Sequence, residues 1–495
     1  MSCSQKSFYI LTLAAYYFLN LGILNAQQII STVPSSSKSL VDAFPAIDPA
    51  PIIFDIPKHR LLDSDALQTS KIELEPKKQV ALIELSAQQN SNPVSVQLYE
   101  ALLAKTASHQ DRAVKEFYEA RAYQPLWTHE NGYNQRAVAI KTTLDNAASH
   151  GLKLAGYKTP DFANNRIEAE IGFTNAAIRY ARDAGGARVN PRNISRLITA
   201  EPTIPQTQNI LIALSTSNDA GKTLEDYNPQ HTGYKALKDK LAEQVDPKKQ
   251  ADIIANMERW RWLPRDLGSS HIMVNIPEYQ LRMVRNGVEV HQTRVIVGKI
   301  QTPSPVFSGD MDHLIVNPYW NIPPSIALKE MLPKLQSDSY ALKAKGFEIV
   351  KRGRVVDPAT IDWSAGVKNI TIRQPPGERN ALGFIKFMFP NDHAVYLHDT
   401  PSRGLFANSE RALSHGCIRV AEPFKLAEIV LSLEYGISET RLRSMAGGSE
   451  HYFNMQTKLP VHLVYFTSFV DGYGQLQSRP DIYGISKKVK VALGL

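Results

Sequence analysis

The stretch HIMVNIPEYQLRMVRNGVEVHQTRVIV occupies residues 271–297 and predicts β-structure. Residues His271 to Ile276 and Gln280 to Val284 are rich in strand-forming side chains. The Asn286-Gly287 pair then predicts a tight type I′ turn into a further strand over Val288 to Val297. The spacing of the apolar residues therefore changes here from helical to strand-like, and a mainly β region begins.

We expect this β region to form one domain over residues 266–495. Further strand-like runs are His313 to Val316, Gly383 to Phe389, Ala394 to His398 and Val461 to Val470, and a helix is predicted over Glu422 to Leu433. Between core strands lies a mixed stretch, residues 320–374, with a predicted helix (Ile326 to Leu335) and a predicted hairpin at Arg352-Gly353. A segment of that length predicts an inserted capping subdomain.

Residues 95–265 predict a helical scaffold domain. Apolar residues recur at helical steps in two sets, which are Val114, Phe117, Tyr118 and Ala122, then Ala137, Ile140, Leu144 and Ala148. Gly151 follows the second set where a C-cap glycine is expected, and another helix is predicted over Arg166 to Ala184. Trp260 and Trp262 are expected to fasten the helical part to the β part. The predicted fold class is therefore α+β.

The N-terminal residues predict an export signal. Lys6 is the only charged residue in the first 26, and Phe8 to Leu19 is an apolar run too short for an ordinary membrane span. Residues 1–26 are therefore interpreted as a signal peptide, with an uncleaved anchor as the alternative because apolar residues continue to Ile23. Residues 27–94 are rich in proline and lack periodicity, which predicts a tether of low order.

Composition excludes several classes of protein. The chain has 495 residues, of which 43% are hydrophobic and 21% charged, so collagen-like, wholly disordered and polytopic membrane proteins are excluded. The net charge of +8 fits attraction to acidic polymers or surfaces, although a solvated basic face is the simpler and preferred explanation. No run of Lys and Arg is long enough to predict a nucleic-acid arm.

The chemistry is expected around one of the two cysteines. Cys3 is near the N-terminus, whereas Cys417 lies in Ser414-His415-Gly416-Cys417-Ile418-Arg419-Val420, after Tyr396-Leu397-His398-Asp399-Thr400-Pro401. An imidazole near a thiol takes its proton and holds the thiolate, which suits a cysteine nucleophile. Gly416 allows a sharp turn that would aim nearby amides at an oxyanion.

Other interpretations of these residues stay open at this point. Cys417 would also fit as an inert buried thiol, and His415 as a structural hydrogen-bonding residue. The side chains of His393, His398, His415 and Cys417 would suit a metal, but their spacing matches no common zinc signature, so neither metal nor cofactor is expected. The ring of His398 would be oriented by Asp399 or by a backbone carbonyl.

The Ser-His-Gly-Cys motif with an upstream histidine resembles the signature of L,D-transpeptidases of the YkuD family. The resemblance extends from about Ser95 to Gly484 and is closest to the large YcbB-like branch. It includes Gln124 to Trp127, Arg259 to Pro264, Trp320 to Pro324, His398 to Pro401 and Val461 to Phe466. Arg419 stands where the short signature more often has asparagine, and no inserted peptidoglycan-binding module fits before Arg259.

The resemblance implies an acyltransferase without cofactor, with Cys417 as nucleophile and His398 as general base. The backbone amides of Gly416 and Cys417 would form the oxyanion hole. The residues implied to contact substrate are Tyr396, Arg419, Trp320, Ser414 and His415.

Family members act on periplasmic peptidoglycan, joining a donor tetrapeptide stem to an acceptor amine in a third-to-third crosslink, and carbapenems acylate their thiol. The protein is therefore expected in the periplasm, with a membrane contact only through an uncleaved N-terminal anchor and with no nucleic-acid partner. The alternatives are a hydrolase on the same scaffold, which would release wall-linked peptides or proteins, and a non-catalytic wall-binding scaffold.

Overall fold

The computed structural model describes residues 92–105, 108–163 and 165–495, which belong to one compact unit, Lys78–Leu495. The predicted signal peptide, residues 1–26, and nearly all of the predicted tether, residues 27–94, lie outside the described residues. The chain from Pro93 onward is helical, so the last two residues of the predicted tether belong to a helix.

The first part of the described chain is helical. Its helices are α1 (Pro93–Leu103), α2 (His109–Glu119), α3 (Gln135–Asp145), α4 (Arg166–Arg182), α5 (Pro191–Ile194), α6 (Thr207–Thr216), α7 (Ala220–Glu225), α8 (Thr232–Glu243) and α9 (Pro247–Trp260). A short hairpin joins β1 (Thr128–His129) to β2 (Gly132–Tyr133). Three single turns, at Ala147–His150, Leu154–Tyr157 and Asp183–Ala187, complete this part.

The predicted helical periodicity is confirmed, although two helices end early. Val114, Phe117 and Tyr118 are buried in α2, but the backbone leaves the helix after Glu119 and Ala122 has a φ of 50°. Ala122 and Ala148 therefore lie beyond the ends of α2 and α3, and both are exposed. The helical repeat that would have turned them toward the core does not extend to them. Gly151 has a φ of 67° and ends its turn as predicted.

The second part is a closed β-sheet. Its strands are β3 (His271–Asn275), β4 (Gln280–Arg285), β5 (Val288–Gly298), β6 (Phe307–Val316), β11 (Ile385–Met388), β12 (Leu397–His398), β13 (Ala412–Ser414), β14 (Ile418–Val420) and β15 (His451–Val464). Within the described chain they follow the order β13-β5-β14-β12-β11-β6-β15-β3-β4, and β4 also pairs with β5. This last pairing joins β4 back to β5, so eight of these strands close around a large apolar core, and β13 is added along β5 outside the ring.

A separate small sheet lies between β6 and β11. Strands β7 (Trp320–Asn321), β8 (Glu348–Lys351), β9 (Arg354–Val356) and β10 (Ile370–Gln374) pair in the order β7-β10-β8-β9. They pack over their own apolar cluster, which includes Ile322, Leu335 and Trp363. We call this part, residues 320–374, the cap. The predicted hairpin at Arg352-Gly353 is confirmed, since these residues join β8 to β9 with φ values of 50° and 75°.

Three predicted elements differ in the structure. The predicted strand over Val461 to Val470 is divided, since β15 ends at Val464 and a separate strand begins at Ser468. The predicted helix over Ile326 to Leu335 consists of α10 (Pro324–Ile326), a wide turn over Ala327–Met331 and α11 (Leu332–Ser337). Pro333 has no N–H to donate, so a regular helix does not run through it. The predicted strand over Ala394 to His398 begins only at Leu397, because Ala394 has a φ of 52°.

The remaining elements support the barrel from outside. They are α12 (Pro423–Tyr435), α13 (Glu439–Ser444), β16 (Ser468–Val470), β17 (Leu476–Ser478) and α14 (Ile485–Leu493). The predicted fold class is confirmed as α+β, with a helical region before a mainly β domain. Within the described residues, no helix has both the length and the hydropathy needed to span a bilayer.

The two tryptophans join the helical and β parts, as predicted. The Trp260 ring stacks on Phe466, with 4.6 Å between ring centroids, and Trp262 is buried in the core of the barrel. Leu237 of α8 and Val464 of β15 share the apolar cluster around Trp260. The helical part therefore packs directly on the β-domain.

Candidate active site

Two parallel strands bring the predicted site residues together. Leu397 of β12 pairs with Ile418 of β14, and both side chains are completely buried in the barrel core. Because side chains alternate along a strand, the residues on either side face the opposite way. Tyr396 and His398 therefore stand beside Cys417 and Arg419 on the outer face of the barrel.

This face forms the floor of a cavity of about 410 Å³. The cap contributes Trp320, Ile326 and Glu330 to the cavity wall. Of the sequence-predicted site residues, those that line it are Trp320, Tyr396, His398, Ser414, His415, Cys417 and Arg419. Gly416 lies in the same loop but does not line the cavity. The predicted nucleophile and the predicted base thus share one enclosed space.

His398 is held as a neutral imidazole. Its ring is buried, and Nδ1 lies 2.5 Å from the backbone carbonyl of Asp399. Because a carbonyl only accepts, Nδ1 carries the proton and donates it, which leaves the Nε2 lone pair available. Burial, followed by the charges of Arg419 and Lys386, lowers the pKa of His398 to about 3. The ring is therefore an unprotonated acceptor at neutral pH.

The carboxylate of Asp399 fixes the carbonyl that orients this ring. It accepts N–H bonds from Phe384 at 2.9 Å and from Thr400 at 2.6 Å, and it pairs with Arg403 at 2.5 Å. Gly383 leaves room for the carboxylate, because a Cβ there would lie 2.3 Å from its oxygen. Asp399 thus acts on His398 through its main chain and not through its side chain.

The Cys417 thiol is half-buried, and its sulfur lies 4.0 Å from the carbonyl of Ala394. Burial raises the pKa of the thiol above its ordinary value, since a thiolate is poorly solvated there. Hydrogen bonding from Tyr396 and the charges of Lys386 and Arg419 oppose this rise. The pair is therefore a thiol and a neutral imidazole.

The loop before the thiol is closed by Ser414. Its hydroxyl donates to the Cys417 carbonyl at 2.6 Å and accepts from the Gly416 N–H at 3.1 Å. The Gly416 amide, predicted as one oxyanion donor, is therefore occupied within the loop. The Cys417 amide donates to no group in the described part of the chain. Gly416 itself has a φ of 118°, which favours glycine.

His415 lies at the rim of the cavity and contacts the cap. Its Nε2 is 3.0 Å from Oε1 of Glu330, and both side chains are well exposed. The His415 ring therefore links the loop over residues 414–417 to the cap. This agrees with the interpretation of His415 as a hydrogen-bonding residue. Among the described residues, no group of three or more His, Cys, Asp or Glu side chains is placed to hold a metal ion.

Comparison with known protein families agrees with this geometry. Residues 269–457 match the family model of the L,D-transpeptidase catalytic domain, YkuD, and residues 112–241 match that of the scaffold domain. The chain carries a YkuD L,D-transpeptidase catalytic domain and a scaffold domain. The family resemblance found in the sequence is thus confirmed.

Relatives of this L,D-transpeptidase domain are known in several bacteria. A Haemophilus influenzae protein named "Putative L,D-transpeptidase" is 38% identical over 245 residues, which are 48% of this chain and 49% of the relative. The chain thus spans about half the length of that relative.

Two solved structures are also similar to part of the chain. The L,D-transpeptidase from Mycobacterium smegmatis is 12% identical with a TM-score of 0.18, covering 40% of this chain and 58% of that one. L,D-transpeptidase 3 from Mycobacterium tuberculosis, in complex with a faropenem-derived adduct, is 14% identical with a TM-score of 0.20, covering 39% and 60%.

Sequence reasoning missed one charged residue of the L,D-transpeptidase domain. Lys386 lies on β11 directly opposite His398, and its ammonium group is 4.1 Å from the centroid of the Tyr396 ring. Lys386 alternates with Ile385 and Phe387, which are both completely buried, and such alternation is ordinary for a strand with one outward face. The sequence alone therefore carries no signal for Lys386.

Proposed function

We propose that this protein is a peptidoglycan L,D-transpeptidase that forms third-to-third crosslinks through a thioester on Cys417. The observation that carries the proposal is the shared cavity, in which Cys417 and the Nδ1-anchored His398 stand on neighbouring strands. The family of the catalytic domain supports the reaction class.

The first half-reaction is acylation. His398 Nε2 takes the thiol proton, and the sulfur attacks the carbonyl carbon of the third stem residue. In the proposed mechanism the Cys417 N–H, which has no other acceptor among the described residues, stabilises the resulting oxyanion. As the peptide C–N bond breaks, the imidazolium returns the proton to the amine of the departing D-alanine, which leaves a thioester.

The second half-reaction transfers the acyl group to an amine. His398 removes a proton from the acceptor amine as its nitrogen attacks the thioester carbon, and the C–S bond breaks with return of the proton to sulfur. The cap over the cavity favours this route, because it limits the access of water to the thioester. Tyr396, Arg419 and Trp320 are the proposed substrate contacts.

Replacement of the nucleophile tests the proposal. We expect Cys417→Ser to abolish dimer formation from purified muropeptides, measured by mass spectrometry, with unchanged far-UV circular dichroism. Cys3→Ser is the matched control and should keep the parent rate. Dimer formation by Cys417→Ser at the parent rate would remove the nucleophile from the proposal. Shortened monomers without dimers would indicate a hydrolase instead.

We also propose that the protein works in the periplasm, because residues 1–26 have the pattern of an export signal. Cell fractionation with an antibody to the catalytic domain tests this. We expect the protein in the periplasmic fraction, or in the inner membrane if the signal stays uncleaved. Recovery from the cytoplasm alone would contradict the proposal.

A further inference from the structure

Three adjacent strands place a row of basic side chains beside the thiol. Lys386 of β11 pairs with His398 of β12, and His398 pairs with Arg419 of β14. The neighbours of Lys386 on its own strand, Ile385 and Phe387, point into the barrel core. Lys386 therefore lies on the same outer face as the catalytic pair.

Neither cation of this row has an anionic partner. Among the described residues, no carboxylate forms an ion pair with Lys386 or Arg419, and Nε of Arg419 is buried without a hydrogen-bond partner. The ammonium of Lys386 rests on the face of the Tyr396 ring instead. Both cations are half-buried, and even partial burial of a positive charge without a carboxylate partner is costly, which favours an anion nearby during function.

The anion that the described chain supplies here is the thiolate. Cys417 stands next to Tyr396 across the strand pair, since the Ile418 N–H donates to the Tyr396 carbonyl at 3.1 Å. Lys386 does not line the cavity. A substrate group would therefore meet Tyr396 first, while the charge of Lys386 still reaches the sulfur through the ring.

The other charged or titratable groups around Lys386 are accounted for. Tyr396 covers it, His398 is neutral, and Arg419 carries a second positive charge. Glu450 acts on Lys386 through its charge, and its carboxylate accepts from the Tyr319 N–H at 2.9 Å and from the Tyr452 hydroxyl at 3.3 Å. Burial lowers the pKa of Lys386, and the charges of Cys417 and Glu450 oppose this change.

We propose that Lys386 holds the Cys417 thiolate electrostatically from behind the Tyr396 ring, and that Arg419 assists it from the next strand. The inference rests on the proposed function, in which Cys417 is the nucleophile. Lys386 touches neither substrate nor sulfur, so it is a positioning residue whose effect falls on the ionisation of the thiol. If the neutral imidazole of His398 were the only group beside the sulfur, the Cys417 thiolate would lie in a poorly solvated site without a positive charge near it.

The pH profile of thiol alkylation tests this inference. In a Cys3→Ser background, iodoacetamide labels Cys417 at a rate proportional to the thiolate fraction, which intact-protein mass spectrometry follows. We expect Lys386→Met to move the midpoint upward by about one pH unit, which is a tenfold lower rate at pH 7. Lys386→Arg should restore most of the parent profile because it keeps the charge.

Lys351→Met is the matched control, since it removes an exposed positive charge from the cap without approaching the thiol. Its midpoint should equal that of the parent. Should Lys386→Met fail to fold, as shown by its thermal melt, Lys386→Gln replaces it. A parent-like midpoint in a folded neutral variant would overturn the inference.

The same experiment separates this inference from the proposed function. Alkylation requires no muropeptide, so a midpoint shift with no dimer formation would leave the role of Lys386 standing and reject the transpeptidase proposal. If the parent forms dimers but Lys386→Met leaves the midpoint unshifted, the transpeptidase proposal stands and the role of Lys386 is rejected.

Discussion

The carboxylate of Asp399 is held by three groups, and the backbone carbonyl of Asp399 holds the ring of His398, the proposed base. Two backbone amides and Arg403 contact the carboxylate. The carbonyl then fixes the tautomer of His398. A change that moves this carboxylate should therefore lower activity even though it never touches the imidazole.

Gly383→Ala provides such a change. The added Cβ would lie 2.3 Å from the Asp399 carboxylate, at a backbone φ of 61°, so the carboxylate and its carbonyl must shift. We expect acylation by a carbapenem to slow by at least about tenfold, toward the roughly 10²–10⁴-fold cost of losing a general base. Stopped-flow or mass-spectrometric measurement of adduct formation checks this.

The control for this prediction is Gly353→Ala. Gly353 has a similar φ of 75°, but a Cβ there meets nothing within 4 Å. Both variants bear the backbone strain of roughly 1 kcal/mol, and only Gly383→Ala displaces Asp399. Equal acylation rates for the two variants would contradict the positioning role of Asp399.

At the scale of elements, the cap contacts the loop over residues 414–417 through Glu330 and His415. Glu330 lies in the wide turn between α10 and α11, and it reaches His415 across the cavity rim. The cap has its own apolar core, so it keeps its internal structure whether or not this contact forms. The contact therefore affects cap position more than cap folding.

We expect Glu330→Ala to raise KM for the muropeptide donor by about two- to fivefold with a smaller effect on kcat. An exposed polar contact of this kind contributes at most roughly 1 kcal/mol, and its loss lets the cap move away from His415 more often. Steady-state dimer formation measures both constants.

A double-mutant cycle with His415→Ala isolates the pair. The double variant should resemble either single variant, because each single change already removes the contact. Strictly additive effects on KM would show that Glu330 and His415 act independently.

Local sequence signals were sufficient to predict several elements. Strong turn chemistry at Asn286-Gly287 and Arg352-Gly353 predicted both hairpins, and the apolar period predicted the helical part. The broken cap helix was missed although Pro333 is visible in the sequence, because the apolar spacing over Ile326 to Leu335 was given more weight than the missing N–H of the proline. The strand before His398 was too long because nothing in the sequence marks the left-handed backbone of Ala394.

The candidate site was predicted from its sequence motif. Lys386 was not predicted, because its place beside the site depends on which strands pair and in which register. Cys417 and His398 were found from neighbouring residues along the chain. Lys386 becomes relevant only once β11 is known to lie beside β12, which the sequence alone does not reveal. The occupied amide of Gly416 likewise follows from the direction of the Ser414 side chain.

At the scale of the whole molecule, buried histidines make folding sensitive to acid. Burial lowers the pKa of His150 and of His462 to about 4, and that of His398 to about 3. The unfolded chain therefore binds these protons near pH 6.5 whereas the folded protein does not. Stability is fully present above pH 6.5 and is lost as the pH falls below it.

We expect the free energy of unfolding to fall by about 2 kcal/mol per buried histidine between pH 7.5 and pH 5, from 1.4 kcal/mol per pH unit. Urea titrations at the two pH values measure this. His462→Gln should lose about 2 kcal/mol less over the interval than the parent. An equal loss in the parent and in this variant would contradict the assignment of acid sensitivity to His462.

The contact between the helical part and the cavity wall has a further consequence. The loop after α5 forms a parallel bridge between Ile198 and Val306, and the Thr199 hydroxyl lies 2.9 Å from Nε2 of His393, a residue of the cavity wall. The N-terminal half thus supports the cavity wall from outside. Chimaeras that exchange only the C-terminal half between homologues would misfit at this seam, so the two halves have to be inherited, or engineered, as a matched pair.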